Sequence, residues 1–278
     1  MELIFQKIAL AFNFTPTSRA LLQEARHIQQ LFSSKLALIH IGKYDDETRE
    51  RLDNFLKEVG LQPSDYQLIW RDGDAATEII KACSENEIDL LLAGALEKEN
   101  IIKFYIGSVA RKLMKYSPCS IMIFKIPIVE KPFKKIFVSI EYSTIGEKAL
   151  QIAYQIALKE EATLLTVVRE FYIPGLTAIL QDSGVVGQFD EMIEKAKKDE
   201  EEKTRVFINE QNLRGINVEI NCLYGKEKYV ERNFVDESSP DLYIIPSKIK
   251  RPSLFERFIS METEYVFEDL PSNILIVR

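Results

Sequence analysis

At 278 residues, with 46% apolar and 28% charged residues, the chain has the balance of a soluble globular protein long enough for two domains. A net charge of -7 argues against general affinity for nucleic acid or an anionic membrane face, and no stretch nears the ~20 apolar residues that span a bilayer. Cys83, Cys119 and Cys222 are odd in number and far apart, which excludes a disulfide framework and a cysteine metal site.

The N-terminal MELIFQKIALAF has an early Glu and no basic region or cleavage site, so it reads as a strand and not a signal peptide. A reducing cytoplasm is the expected compartment. Lys7 to Phe12 is the first buried strand, followed by a polar turn from Asn13 to Ser18. Leu21, Ala25, Ile28 and Phe32 then recur at helical spacing. Lys35 to Ile41 is a second strand, and Asp46 to Val59 a charged helix with Leu52, Phe55 and Leu56 inward. Tyr66 to Trp70 is a third strand, and Ala75 to Ser84 a helix with Ile79, Ile80 and Cys83 on one face. Leu90 to Ala93 is an unbroken apolar run ended by Gly94, as in a strand covered on both faces. Gly107 and Ser108 precede the helix VARKLMKY, and Ile121 to Phe124 is the next strand. Strands alternating with helices imply βαβ units, a parallel sheet and helices on both faces.

The pattern then restarts. KIALAFNFTPTSRALL from Lys7 is echoed by KIFVSIEYSTIGEKAL from Lys135, and YSPCSIMIFK around Pro118 by DLPSNILIVR around Pro271. The expected organisation is α/β, two tandem doubly wound domains at 1–127 and 132–278, each with a five-stranded parallel-type sheet. The proline-flanked piece Ile126 to Pro132 marks the boundary. In the second copy Ile136 to Ile140 and Thr163 to Val168 are strands, with a helix between them marked by Ala149, Ala153, Ile156 and Ala157. The second copy carries an insertion at 171–189, whose Leu176, Ile179, Leu180, Val185 and Val186 suit a cover over a neighbouring surface better than a free linker. Asp190 to Leu213 is a long charged helix, Asn217 to Leu223 a strand, Lys228 to Val235 a helix, and Leu242 to Ile245 and Ile274 to Val277 the last strands.

Chemistry concentrates between Gly94 and Ser108. Glycines at a strand exit and a helix start let backbone N–H groups approach an anion, which the helix N-terminus also favours. Gly and Ser serve equally as turn and cap residues. His40 has no positioned partner in the sequence and His27 falls on a helix exterior, so both read as structural. Cys119 has no basic neighbour in sequence and no Cys-x-x-Cys motif, so burial is its expected role. No nucleophile elbow, Walker A loop, dinucleotide fingerprint or metal-ligand set with a poised base is present, and an enzyme is not expected.

These residues together resemble the tandem universal stress proteins, over essentially the whole chain. The family signature Gly-x2-Gly-x9-Gly-(Ser/Thr) is matched by Gly94, Gly107 and Ser108, with Glu97 in place of its middle glycine. Asn13 stands where the nucleotide-binding branch has an acidic residue, and Thr15 at the following serine position. His40-Ile41 and Gly73-Asp74 match the family's His-Val and Gly-Asp. The resemblance implies an adenine nucleotide alpha hydrolase-like fold and a stress-response protein binding ATP (with Mg2+) or AMP in the first domain only. Asn13, Thr15, Ile41, Gly94, Gly107 and Ser108 are the implied nucleotide-binding residues; slow ATP hydrolysis is a minor alternative. Glu97 places a carboxylate near the phosphates, with Lys98, Lys103 and Arg111 as nearby positive charges. In the second domain Pro246 replaces the first glycine, Ser260 and Met261 fall where Gly107 and Ser108 would be, and Glu141 follows strand one, so that site reads as lost. The resemblance also implies pairing of 121–124 with 274–277 in an intramolecular pseudo-dimer, with homodimerisation of whole chains also open. The reading from another class is a nucleotide-free interaction scaffold acting through 171–189 and the dimer surfaces.

Overall fold

A computed structural model describes residues 4–15, 17–95, 107–125, 127, 132–174, 186–225, 229–247 and 270–278. These fall into two compact units, the first holding residues up to Pro132 together with Ser247 and 270–278, the second Phe133–Pro246.

In the first unit β1 (Lys7–Ala11), β2 (Lys35–Ile41), β3 (Tyr66–Arg71), β4 (Leu90–Gly94) and β5 (Ser120–Phe124) lie parallel in the order β3-β2-β1-β4-β5. Continuous apolar runs go to the middle: Ile8 to Leu10, Leu90 to Leu92 and Ile121 to Phe124 are fully buried. In the edge strand β3, YQLIWR, Ile69 is the one buried residue, and Leu68 is exposed. Four helices connect the strands: α1 (Ser18–Phe32), α2 (Asp46–Glu58), α3 (Ala75–Glu85) and α4 (Ser108–Tyr116). The expected stripe of α1 is buried, together with Leu22, and Phe32 meets Phe5 edge to face at 5.1 Å. Truncating Phe32 to alanine costs about 3–5 kcal/mol by the usual cavity penalty. Asp45 and Asp74 cap α2 and α3 by accepting the N–H groups of Thr48 and Thr77 at 2.9 and 3.1 Å.

The second unit holds β6 (Lys135–Ser139), β7 (Leu164–Phe171), β8 (Asn217–Tyr224) and β9 (Leu242–Pro246), parallel in the order β9-β6-β7-β8. Its helices are α5 (Thr144–Lys159), α6 (Val186–Glu210) and α7 (Tyr229–Ser238). Helix α6 therefore begins inside the segment expected as an insertion; residues 175–185 of that segment lie outside the described residues. One anchoring device occurs in both units. The Asp89 carboxylate accepts the N–H groups of Gln6 and Lys7 at 2.9 and 2.8 Å. The Asp241 carboxylate accepts those of Lys134 and Lys135 at 3.1 and 2.9 Å.

Strand β10 (Asn273–Val277) pairs antiparallel with β5, setting Ile274 opposite Ile123 and Ile276 opposite Ile121. The pairing of 121–124 with 274–277 is thus present. Asn273 Oδ1 accepts the Lys125 N–H at 2.9 Å, and the Arg278 N–H donates to Ser120 Oγ at 3.1 Å. Division by sequence repeat and division by contact differ at this strand, because β5 would otherwise offer a row of unpaired backbone groups to solvent.

Candidate nucleotide site

The order β3-β2-β1-β4-β5 reverses between β1 and β4. In open parallel sheets such a reversal leaves a crevice beyond the carboxyl ends of the strands, where ligands bind. Asn13 follows β1, Ile41 ends β2 and Gly94 ends β4 at this edge. Because α4 runs back to feed β5, its first residues, after Gly107, lie at the same edge.

Each expected site residue has a definite local job. Asn13 is exposed, and its Oδ1 accepts the Phe14 N–H at 2.9 Å, which turns its amide NH2 into the group available to a ligand. The Thr15 hydroxyl is engaged inside the loop, 2.8 Å from Ser18 Oγ and 3.2 Å from Thr17 Oγ1. Ser18 is fully buried and donates to the Asn13 carbonyl, so this clasp fixes the β1–α1 connection. Ile41 is half-buried opposite Arg71, and the next residue, Gly42, donates its N–H to the Arg71 carbonyl at 2.8 Å. Gly94 has a packing reason of its own: a Cβ there would sit 2.8 Å from Leu21 Cδ1 on α1. Gly107 has φ −63° and ψ 158°, ordinary extended backbone, and supplies no side-chain cap. Its carbonyl accepts the Arg111 N–H at 3.0 Å, while Ser108 is exposed. The first amides of α4 therefore face outward with the positive end of the helix dipole and without a side-chain acceptor from Gly107.

The sequence reading missed an aromatic cluster beside Asn13. The His40 ring lies 5.0 Å from Phe14, 5.4 Å from Phe12 and 4.4 Å from Trp70. Tyr44 meets Trp70 at 5.0 Å, and the Arg51 guanidinium stands 4.8 Å over the Phe14 ring. His40 Nδ1 donates to the Phe12 carbonyl at 3.2 Å, and Trp70 Nε1 donates to the Gly42 carbonyl at 2.7 Å. Burial holds the imidazole below its ordinary pKa against the opposing effect of the Phe12 hydrogen bond, so His40 is neutral and structural at pH 7. His27 departs from its expected exterior place: its side chain is only 25% exposed, with Nδ1 3.7 Å from the Glu24 carboxylate, because the buried Glu24 lies one turn away.

At the matching edge of the second unit stand Glu141, Tyr142 and Arg169. Arg169 donates from Nε to Glu200 at 2.9 Å and from Nη1 to the Ile140 carbonyl at 3.4 Å, with its guanidinium 4.6 Å over the Tyr142 ring. The Tyr142 hydroxyl donates to Glu200 at 3.1 Å and lies 2.8 Å from Thr204 Oγ1. A Cβ on Gly146 would come within 1.9 Å of the Glu141 carbonyl oxygen, so α5 starts against this loop. No group of three or more His, Cys, Asp or Glu able to hold a metal ion occurs among the described residues. Among them no helix is long and apolar enough to cross a membrane. Glu97, Lys98, Lys103, Ser260 and Met261 lie outside the described residues.

The universal stress protein family profile matches residues 4–125. Those residues are a universal stress protein domain. A universal stress protein of Methanothermobacter thermautotrophicus is 36% identical over 56 residues, 20% of this chain and 38% of that protein. Over the whole fold, a putative universal stress protein of Pseudomonas aeruginosa UCBPP-PA14 superposes with a TM-score of 0.71 at 18% identity, covering 98% of this chain and 93% of that one. A universal stress protein of Archaeoglobus fulgidus does so with a TM-score of 0.65 at 17% identity, covering 98% of each. These two likenesses establish the α/β fold with its mostly parallel sheet. Within the universal stress protein domain the Gly73-Asp74 pair now has a physical meaning. Gly73 takes φ +133°, a conformation side chains rarely adopt, and Asp74 caps α3 while its carboxylate lies 3.8 Å from Lys112 of α4.

Proposed function

We propose that the universal stress protein domain at 4–125 binds an adenine nucleotide, ATP with Mg2+ or AMP, and that residues 132–278 form a second domain of the same kind without a site. The observation that carries the reading is the strand-order reversal between β1 and β4, with Asn13 on one side, Gly94 on the other and the start of α4 at the same edge. Asn13 and Ile41 face the ribose and base; Thr15 holds the loop that presents Asn13. Gly94, Gly107 and Ser108 face the phosphates through backbone N–H groups, which need no positive φ at Gly107 to do so. The assignment is to binding and signalling of cell state, with no turnover assigned.

Calorimetric titration with ATP, with and without Mg2+, tests it on the parent protein and on Gly107→Val, with circular dichroism as the folding control. Measurable binding in the parent that falls at least tenfold in the folded variant is the expected result. No heat in the parent favours a nucleotide-free interaction scaffold, and binding that survives the substitution puts the phosphates elsewhere.

A further inference from the structure

Helix α4 presents its first amides at the proposed nucleotide edge, and its other end is held by a side chain from β10. The helix has nine residues, about two and a half turns, too short to persist on propensity alone. Gly107 gives it no side-chain cap. Its order therefore depends on packing through Ala110, Leu113 and Met114 and on what meets its last carbonyls.

Those carbonyls meet Arg278. Its guanidinium donates from Nη1 to the Ser117 carbonyl and from Nη2 to the Met114 carbonyl, closing the last turn from outside. The antiparallel register, Ile276 opposite Ile121, carries β10 to that point within the first unit. The Arg278 backbone N–H donates to Ser120 Oγ at 3.1 Å, and Ser120 opens β5, so one residue bridges the helix end and the strand that follows it. Ser117 and Ser120 are both buried, which keeps water from competing for these bonds. Two carbonyls one turn apart suit the planar fork of arginine better than the point charge of lysine. A cation at this end also stabilises the helix dipole whose positive end faces the site. The helix's own Lys115 is exposed and stands 5.6 Å over the Tyr116 ring. The pair formed by Lys112 with Asp74, 3.8 Å apart and exposed, ties α4 to α3 only weakly.

We propose that Arg278 is a positioning residue for the nucleotide site: docked with β10, it fixes the end of α4 and so places the first amides of that helix, which links β10 docking to nucleotide binding. This rests on the nucleotide reading given above. The physical route is a single short element. With its last turn fastened, α4 moves as a unit; with that turn frayed, too little helix remains to hold the first amides in one place. The linkage is reciprocal, so nucleotide holds β10 down by the same factor by which docked β10 tightens nucleotide. A strand that displaced β10 from β5 would withdraw Arg278 and weaken nucleotide binding.

The experiment compares the parent full chain with Arg278→Gln and Arg278→Lys by calorimetric titration with ATP and Mg2+ and by backbone hydrogen exchange, with circular dichroism as the folding control. Arg278→Gln is expected to bind ATP roughly threefold to tenfold more weakly, and Arg278→Lys, which keeps the charge, to recover part of the loss. Saturating ATP is expected to slow exchange at residues 274–277 of the parent at least ~threefold beyond any change in β7, and by less in Arg278→Gln. Without nucleotide, amides 112–117 should exchange faster in Arg278→Gln than in the parent. Parent affinity in a folded Arg278→Gln overturns the proposal, as does equal exchange of α4 in the two proteins without nucleotide. In the parent alone, equal slowing at 274–277 and in β7 overturns it as well. No ATP heat in the parent, with α4 exchange faster in the variant, defeats the nucleotide reading and leaves the clamp on α4 standing.

Discussion

The carboxyl edges of the two units solve one problem with opposite chemistry. In the first unit His40 lies four residues beyond Leu36, which is paired with Ile8; in the second Arg169 lies four beyond Leu165, paired with Ile136. Each side chain donates to the carbonyl just past the first strand, His40 to Phe12 and Arg169 to Ile140. Each is covered by an aromatic from the following loop, Phe14 or Tyr142. Around His40 the remaining neighbours are aromatic and neutral, and Asn13 is left exposed. Around Arg169 a charge is neutralised by Glu200, itself bonded to Tyr142 and Lys203. The fold therefore needs a donor for that carbonyl, but not a ligand at that edge. A surface satisfied by its own ion pair has less to offer a nucleotide than one that keeps an exposed amide.

The comparison breaks most directly at Glu200. Glu200→Ala leaves Arg169 largely buried without its carboxylate, which should cost about 3 kcal/mol in urea unfolding, the usual penalty for orphaning a buried ion-pair partner. A loss under ~1 kcal/mol would make the network incidental. Next is Gly94→Ala, where the clash with Leu21 should cost about 1–3 kcal/mol by overpacking. Leu21→Ala should then be less damaging in the Gly94→Ala background than in the parent protein. Strict additivity of the two would remove the packing explanation for this glycine.

The smallest effect is the pH dependence of His40. Its folded pKa is lowered from 6.5, so below that pH the unfolded chain binds more protons than the folded one. The stability it contributes is complete above pH 6.5 and is lost as pH falls toward the folded pKa. The urea midpoint of the parent should drop more steeply than that of His40→Gln between pH 7 and 5. Equal slopes would show that the imidazole is not desolvated.

Much of the fold was legible because it is written in short-range patterns. The runs at Ile8 to Leu10 and Leu90 to Leu92 are unbroken apolar stretches, so they belong in the covered centre; YQLIWR is interrupted by Gln67 and ends in Arg71, and it lies at an edge. The aspartate caps and the stripe on α1 are equally local. The site was legible only as far as backbone motifs reach. Gly94 looked like a phosphate glycine, yet its nearest demand comes from Leu21, a contact that depends on how α1 crosses β4. Arg169 and Glu200 are 31 residues apart and meet through the packing of α6, for which no sequence spacing is a signal. The same holds for Ser117 and Arg278, 161 residues apart and joined by the register of β10 on β5.

That register also sets an order of events during synthesis. The edge of β5 is made early, but the strand that covers it lies far along the chain: the Lys125 to Asn273 bond spans 148 residues. At about 5–20 residues per second, the ribosome leaves SIMIF waiting for several seconds or more with one side of its backbone unpaired. A contact so distant also pays loop-closure entropy before it returns any stability, which slows the last step of the first unit. The nascent first unit is therefore an aggregation-prone intermediate until β10 arrives. A chaperone that holds exposed strand edges would shorten that exposure without touching the finished protein.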